Sequence, residues 1–153
     1  MRFIGIIGSR RRDTENDYWQ LFKVFFQIYR QGDVIVSGGC PKGGDRFAEI
    51  LAKMIRTPPV LFLPEKENLD PELISRNLMR AAYAKINYAR NTLIAEKSDI
   101  LLALVSKDRK GGTEDTIKKF KKMKPNNMLI EILENGTCQP KQIALCWTPS
   151  PAS

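Results

Sequence analysis

A glycine-rich segment with a lysine and an aspartate lies between an apolar run and an amphipathic one. It reads VIVSGGCPKGGDRFAEILAKM over residues 34–54. Glycine lets the backbone approach a ligand closely because it has no Cβ atom, and the unpaired amides of a helix N-terminus favour an anion. The segment therefore predicts a phosphate-binding loop in which Lys42 adds a positive charge. The alternative is that its glycines only form a tight turn between a strand and a helix.

Two more polar loops follow apolar runs in the same way. Residues 2–8 lead into Ser9 and Arg10, and residues 99–105 lead through a basic loop into residues 111–113. The helix that begins there can hold a further anionic group or a ribose, and Arg10 can reach the same anion. The loop residues that we predict to bind a ligand are Gly8, Ser9, Arg10, Ser37, Gly38, Gly39, Lys42, Gly43, Gly44, Asp45, Gly111, Gly112 and Thr113.

Carboxylates are the first candidates for acid–base chemistry because the chain contains no histidine. The candidate catalytic residues are Asp45, Glu49 one helical turn later on the same face, and Glu114. A carboxylate beside the C1′ carbon of a nucleoside can act as a nucleophile or orient water during cleavage of the N-glycosidic bond. Asp45 can instead cap a helix, and Glu49 can be a solvated or ion-paired helix residue.

Arg90 and Asn91 form a fourth candidate group, which we place at the start of the helix before the fourth strand. Arginine offers a rigid fork to a phosphate or carboxylate, and asparagine can form hydrogen bonds with a base or ribose. We therefore add both residues to the predicted ligand-binding set. The alternatives are that Arg90 is a surface residue and that Asn91 caps a helix. The nearby Tyr88 can stack on a base or serve as a core or rim aromatic residue.

The elements that must position these residues alternate between apolar runs and amphipathic segments. The predicted strands are residues 2–8, 33–39, 60–64, 99–105 and 128–133. The predicted helices are residues 14–31, a segment that follows Asp45, residues 70–97 with a break near residues 86–87, and residues 113–123. Residues 134–136 (ENG) indicate a turn, after which residues 142–147 (QIALCW) can return as an antiparallel hairpin.

This order of strands and helices predicts an α/β fold with a mostly parallel sheet and helices on both faces. We expect a single Rossmann-like domain over residues 1–147 and a flexible tail over residues 148–153. In such sheets, ligands bind at the carboxyl ends of the strands near a switch in strand order. The three polar loops are therefore expected to meet at one edge of the sheet.

The composition favours a basic protein that binds anions. The chain carries 25 basic and 17 acidic residues, for a net charge of +8, which attracts nucleotides, nucleic acid or acidic partners. The charge is concentrated in residues 10–12 and 107–124, although the lysines can also form a solvated helix face. No apolar run is long enough to span a membrane, and the first run lacks the order of a signal peptide, so we expect a cytoplasmic protein without a membrane partner.

Metal and cofactor sites are not predicted. The absence of histidine excludes histidine-based triads and metal sites, and the three cysteines have no CxxC spacing that would indicate zinc or a disulfide framework. The chain also lacks the G-x-G-x-x-G and G-x-x-x-x-G-K-[ST] signatures. The sequence therefore supports neither an ordinary Rossmann dehydrogenase nor a P-loop NTPase.

Taken together, four short motifs resemble the SLOG superfamily. They are GIIGSR at the first strand, SGGCPKGGDRFAE after the second, RN before the fourth and GGTEDTIKKF after it. The superfamily includes DNA-processing protein A, the LOG (lysine-decarboxylase-like) enzymes and small stand-alone proteins. The chain is most similar to the small YspA-like branch, over about residues 3–123.

The resemblance implies a Rossmann-like domain that binds a nucleotide or a nucleotide-derived ligand. By motif position it implies as binding residues Gly8, Ser9, Arg10, Ser37, Gly38, Gly39, Gly43, Asp45, Arg90, Asn91, Gly112 and Thr113. LOG enzymes carry a PGGxGTxxE motif whose glutamate serves cleavage of an N-glycosidic bond. Here the corresponding stretch is KGGTEDT, which lacks the proline and one glycine, and Glu114 is not in the matching place. Relatives in the group often pair, which allows a homodimer.

Three functional hypotheses follow. The first is a sensor or binding module for a nucleotide or nucleotide-derived small molecule, which needs only the anion-binding loops and the arginines. The second is a hydrolase or deoxyribosyltransferase acting on the N-glycosidic bond of a nucleoside or nucleotide. The third is single-stranded DNA binding through residues 10–12 and 107–124, although aromatic residues make up only 8% of the chain.

Overall fold

The computed structural model of the protein describes residues 1–140. Within them, the strands are β1 (Phe3–Gly8), β2 (Val34–Ser37), β3 (Val60–Leu61), β4 (Ile100–Leu104), β5 (Leu129–Ile132) and β6 (Cys138–Gln139). The helices are α1 (Glu15–Ile28), α2 (Gly44–Ile55), α3 (Pro71–Ser75), α4 (Met79–Lys97) and α5 (Gly112–Met123), and a 3₁₀ turn spans Lys66–Asn68. No helix among these residues is long and apolar enough to cross a membrane.

The strands form one sheet in the order β3-β2-β1-β4-β5-β6. The pairs from β3 to β5 are parallel, and β5 pairs with β6 in the antiparallel sense. The predicted α/β fold with a mostly parallel sheet is therefore confirmed. The chain builds outward from β1 to β3 and then crosses to β4 on the other side of β1. The strand order thus reverses between β1 and β4, where a crevice for ligands is expected.

Helices cover both faces of the sheet because successive side chains of a strand point to opposite faces. Ile4 and Ile6 of β1 pack in a cluster with α1 and α2, whereas Ile7 packs in a second cluster with α4 and α5. Every residue of β4 is buried, as predicted for a central strand. The buried helix side chains of the two clusters include Leu21, Phe25, Phe47 and Leu51 on one face, and Ile94, Ile117 and Phe120 on the other.

Helix α1 begins with the predicted capping box but ends three residues earlier than expected. The Thr14 hydroxyl accepts a hydrogen bond from the Asp17 amide at 3.1 Å, and the Asp17 carboxylate accepts one from the Thr14 amide. At the other end, the carboxylate of Asp33 accepts the amide of Arg30 at 2.8 Å and an ion pair from Arg2. These contacts turn the chain into β2 before residue 31 can join the helix.

The break predicted near residues 86–87 is wrong, because α4 runs without interruption through this segment. The interruption lies instead between α3 and α4, where Asn77 adopts a left-handed conformation at φ 58°. Such a conformation cannot continue a right-handed helix. Arg90 and Asn91 therefore lie inside α4 and not at the start of a helix.

The C-terminal hairpin is present, but its return strand comes early. The chain turns at residues 134–137, and β6 pairs with β5 through the register Ile132 with Cys138. The segment expected to return, residues 142–147, and the predicted tail both lie outside the described residues. The third strand is also shorter than expected: β3 ends at Leu61, although the Phe62 amide still donates to the Ser37 carbonyl at 2.9 Å.

Candidate functional site

A cavity of about 380 Å³ lies at the carboxyl ends of β1 and β4, where the strand order reverses. Its walls come from the loop after β1, the loop before α5 and one face of α4. The predicted ligand-binding residues on its surface are Gly8, Ser9, Arg10, Asp45, Arg90, Asn91, Gly111, Gly112 and Thr113. Loops that are more than 90 residues apart in the chain thus meet at one edge of the sheet, as the strand pattern predicted.

A second cavity of about 620 Å³ adjoins the first. The two share the residues Arg10, Cys40, Asn87 and Arg90. The second cavity is lined by two more residues of the predicted glycine-rich loop, Gly38 and Gly39, and by the chain that follows β3. We call the first cavity the inner lobe and the second the outer lobe of one crevice.

The inner lobe has a positively charged end at the beginning of α5. The N-cap residue Gly111 supplies no side chain to the helix, and among the described residues the amides of Gly112 and Thr113 have no hydrogen-bond partner. The side chains of Arg10 and Lys110, which also line this lobe, are exposed and form no hydrogen bond or ion pair within residues 1–140. Open amides and two unpaired cations are the features that bind a phosphate or carboxylate.

The beginning of α2 is built differently and does not offer an open anion site. The amide of its N-cap residue Gly43 donates to the Asp13 carboxylate at 2.7 Å, and Arg46 pairs with the same oxygen. These contacts lower the pKa of Asp13, the Gly43 hydrogen bond most of all. Gly44 packs directly against the end of β1. At this helix the carboxylate of Asp13 therefore takes the place of the predicted phosphate.

Four residues of the predicted phosphate loop lie outside the crevice: Ser37, Lys42, Gly43 and Gly44 border neither lobe, and Ser37 is fully buried. Lys42 is exposed. Gly43 and Gly44 bring α2 close to β1. For these two glycines the alternative interpretation therefore applies, namely a tight turn between a strand and a helix. No local pattern marks Asp13 as a residue of this loop, because its contact with Gly43 joins residues 30 positions apart.

Asp45 lies on the wall of the inner lobe and does not cap α2. Its carboxylate accepts hydrogen bonds from the Ser37 hydroxyl at 3.1 Å and from the Cys40 amide at 3.0 Å. Burial raises the pKa of Asp45, while these hydrogen bonds and the charge of Arg90 oppose the shift. The carboxylate thus closes the loop after β2 and faces the crevice with a higher proton affinity than an exposed aspartate.

Arg90 and Asn91 connect the two sides of the crevice. The Nη1 of Arg90 donates to the Gly38 carbonyl at 2.8 Å, and its Nε donates to the Asn91 side-chain oxygen at 3.0 Å. Asn91 in turn donates to the Gly112 carbonyl at 3.3 Å and to Asp115. Burial lowers the pKa of Arg90, and the charge of Asp45 opposes this. The pair therefore ties the loop after β2 to the beginning of α5.

The other two candidate carboxylates do not border either lobe. Glu49 lines a separate cavity with Lys53 and Arg56, because four residues of helix carry it about 6 Å away from Asp45 along α2. Glu114 pairs with Arg109 at 2.7 Å, and Arg109 also binds Glu131 of β5. Asp45 is therefore the one candidate carboxylate of the three that faces the crevice.

The three consecutive arginines occupy different environments. Arg12 is only 1% exposed and donates to Asp17 and to the Val105 carbonyl. Arg11 lies on the inner lobe but pairs with Asp108 at 2.6 Å, and its hydrogen bond lowers the pKa of that carboxyl to about 2. Arg10 alone of the three is unpaired among the described residues.

Comparison with known proteins adds no assignment to this geometry. No protein-family model matches the chain, and no curated protein or solved structure is significantly similar to it. Within residues 1–140, no group of three histidine, cysteine, aspartate or glutamate side chains is placed to hold a metal ion.

Sequence reasoning missed part of the α4 wall. The residues of α4 that face the inner lobe are Ala84, Asn87, Tyr88, Arg90, Asn91 and Ile94. Most of them recur at three- and four-residue spacing, which places them on one helix face. The assumed break near residues 86–87 concealed this spacing. Lys110 was also missed, because a single lysine in a lysine-rich segment carries no distinguishing signal.

Proposed function

We propose that the protein binds a nucleotide or nucleotide-derived ligand in the crevice, with a phosphate at the beginning of α5. The observation that carries the proposal is that the open amides of Gly112 and Thr113 line the same lobe as Lys110 and Arg10, whose side chains have no partner among the described residues. An anion there gains hydrogen bonds and charge without displacing an existing protein partner. The beginning of α2, by contrast, already holds a carboxylate.

The rest of the inner lobe supports a ligand that is more than a phosphate. Asn87 and Thr113 provide polar groups for a sugar or base, and Tyr88 offers an aromatic ring on the rim. A volume of about 380 Å³ lies within the range of small-molecule sites. The resemblance of the motifs to the SLOG superfamily favours the same class of ligand, and we propose membership in that group on these grounds.

Binding is tested by a thermal-shift screen with nucleoside mono-, di- and triphosphates, NAD and ADP-ribose, followed by calorimetric titration of the best compound. We expect a rise in melting temperature, because a ligand that binds only the folded state stabilises it. Replacing Arg10 by alanine should weaken binding about tenfold or more, since a charge-assisted hydrogen bond is lost.

The matched control is Arg30→Ala, which removes an exposed arginine just before β2, at the opposite edge of the sheet. Its dissociation constant should equal that of the unmodified protein. A second pair, Lys110→Ala and Lys122→Ala, repeats the comparison at the two ends of α5. The proposal fails if no compound shifts the melting temperature, or if Arg10→Ala and Lys110→Ala both bind as tightly as their controls.

A second candidate function is cleavage of the N-glycosidic bond of the bound nucleotide. The observation that favours it is the position of Asp45 on the inner lobe, with a pKa raised by burial. A carboxyl group of that kind can hold a proton for the departing base. Chromatography of the same titration mixtures tests this function, because a released base is a separate product and a bound, unchanged nucleotide is not.

Single-stranded DNA binding is less well supported by the surface. Two of the three arginines at residues 10–12 already have acidic partners, because Arg12 is buried and pairs with Asp17, and Arg11 pairs with Asp108. Several lysines of residues 107–124 also have acidic or carbonyl partners, including Lys119 and Lys121. A DNA complex would lose affinity steeply with salt, so the salt dependence of binding separates it from a ligand held within the crevice.

A further inference from the structure

The outer lobe of the crevice differs in chemistry from the inner lobe. Its walls include Pro41, Leu63, Pro64 and Tyr83. The Leu63 side chain is 59% exposed and that of Tyr83 is 39% exposed, so both present apolar surface to solvent. Burial of such side chains against an apolar ligand is favourable because it removes apolar surface from water. The outer lobe is therefore suited to an uncharged, flat or apolar group.

Leu63 lies against the loop after β2. A Cβ atom on Gly39 would lie 2.4 Å from the Cδ2 of Leu63, so the leucine side chain contacts the backbone of this loop and would have to shift if residue 39 carried a side chain. The loop itself is held by Arg90, which donates to the Gly38 carbonyl. The apolar wall thus belongs to the same network that shapes the inner lobe.

The charge of the crevice is unevenly distributed. The open amides of α5 and the side chain of Lys110 lie on the inner lobe only. The outer lobe has one lysine and one glutamate of its own, Lys66 and Glu67, whose charges oppose each other. Arg10 borders both lobes. Arg90 also borders both lobes, so what distinguishes the inner lobe is its open amides and Lys110, which favour an anionic group there.

We infer that the outer lobe binds the base of the same ligand whose phosphate occupies the inner lobe. The inference rests on the proposed function. It specifies the ligand class as a nucleoside phosphate that extends across both lobes, with its sugar beside the shared residues Asn87 and Arg90. A free sugar phosphate or pyrophosphate would fill only the inner lobe and would bind more weakly.

The test compares adenosine, guanosine, cytidine and uridine 5′-monophosphates with ribose 5-phosphate by calorimetry. Where the heat of binding of ribose 5-phosphate is too small to measure directly, its dissociation constant is obtained by competition with a nucleotide. The variant Leu63→Ser removes the apolar wall at an exposed position, so the fold should be retained. We expect about tenfold weaker binding of the preferred nucleotide and less than a twofold change for ribose 5-phosphate. Arg10→Ala should weaken both.

The control is Leu93→Ser, which alters a leucine of α4 that is 41% exposed and borders neither lobe. It should leave all dissociation constants unchanged. Equal effects of Leu63→Ser on nucleotide and ribose 5-phosphate, or no effect on either, would overturn the inference while leaving nucleotide binding intact. If ribose 5-phosphate binds as tightly as every nucleotide, the base has no site and the inference is also wrong. If no nucleotide binds at all, the proposed function fails first.

Discussion

Side chains of the same type have different roles here because their surroundings differ. Arg10, Arg11 and Arg12 are adjacent in the chain, yet one is unpaired at the crevice, one forms an exposed ion pair and one is buried. Arg12 joins Asp17 of α1 to carbonyl groups at the ends of β4 and β5. A buried charge is costly unless it is paired and hydrogen-bonded, so Arg12 serves the fold, whereas Arg10 is the arginine that we propose for ligand binding.

Replacing Arg12 by alanine should destabilise the protein by about 3–5 kcal/mol, because Asp17 would be left without its buried partner. Replacing Arg11 should have a much smaller effect, since its partner Asp108 lies at the surface. Urea unfolding followed by circular dichroism measures both. Similar midpoints for the two variants would show that the Arg12 network does not contribute to stability as described.

Two helices begin with glycine at the carboxyl edge of the sheet, but only α5 begins in the crevice. Helix α2 starts against β1, and the amide of its N-cap residue Gly43 donates to Asp13, whereas α5 starts in the crevice. Their N-cap residues, Gly43 and Gly111, both have positive φ, at 71° and 101°, which a residue with a side chain rarely adopts. The same local sequence pattern therefore produces a packing contact in one helix and a candidate anion site in the other.

The first residues of α2 and α5, Gly44 and Gly112, provide a matched pair for mutation. A Cβ atom on Gly44 would lie 2.6 Å from backbone atoms of Ile7 and Gly8, whereas one on Gly112 would meet only the Asn91 side chain at 3.4 Å. We expect Gly44→Ala to destabilise the protein by about 1–3 kcal/mol or more. Gly112→Ala should be nearly neutral, because better helix propensity offsets the contact. Chemical denaturation of both variants decides this, and an unaffected Gly44→Ala protein would contradict the packing described for α2 and β1.

At the scale of the whole molecule, charge and pH set a limit on stability. The net charge is +8 at pH 7 and increases as carboxylates take up protons, which adds repulsion to the compact state. Ion pairs and hydrogen bonds lower the pKa of several aspartates, among them Asp13 and Asp33, and lower that of Asp108 to about 2. For Asp108, the hydrogen bond from Arg11 is the largest cause.

We therefore expect stability to fall as the pH decreases from about 4 towards 2. A carboxyl whose pKa is lower in the folded state contributes stability above its unfolded pKa, and this is lost as the pH falls through the folded value. Asp45 acts in the opposite direction because its pKa is raised, but it is outnumbered by the aspartates whose pKa is lowered. Urea midpoints between pH 2.5 and 6 measure the effect. Midpoints that stay constant or rise on acidification would contradict it.

The larger part of the fold could be predicted from sequence because the relevant signals are local. Periodic apolar residues define the strands and helices, and the capping box at Thr14 and the glycine turn before α5 involve residues only a few positions apart. The burial of β4 also follows from its composition alone. The helix break was predicted near residues 86–87 but lies between α3 and α4. It depends on the left-handed conformation of Asn77, and an asparagine in a sequence does not by itself indicate that conformation.

What the amino-acid sequence by itself determined is the order of the elements, the parallel sheet that this order requires, and the presence of polar loops at its carboxyl edge. Tertiary structure alone decided which of those residues face the crevice. The contact of Asp13 with Gly43, of Arg90 with Gly38 and of Asn91 with Gly112 each join distant parts of the chain. Such pairings depend on how helices settle against the sheet, and no local pattern of residues specifies them.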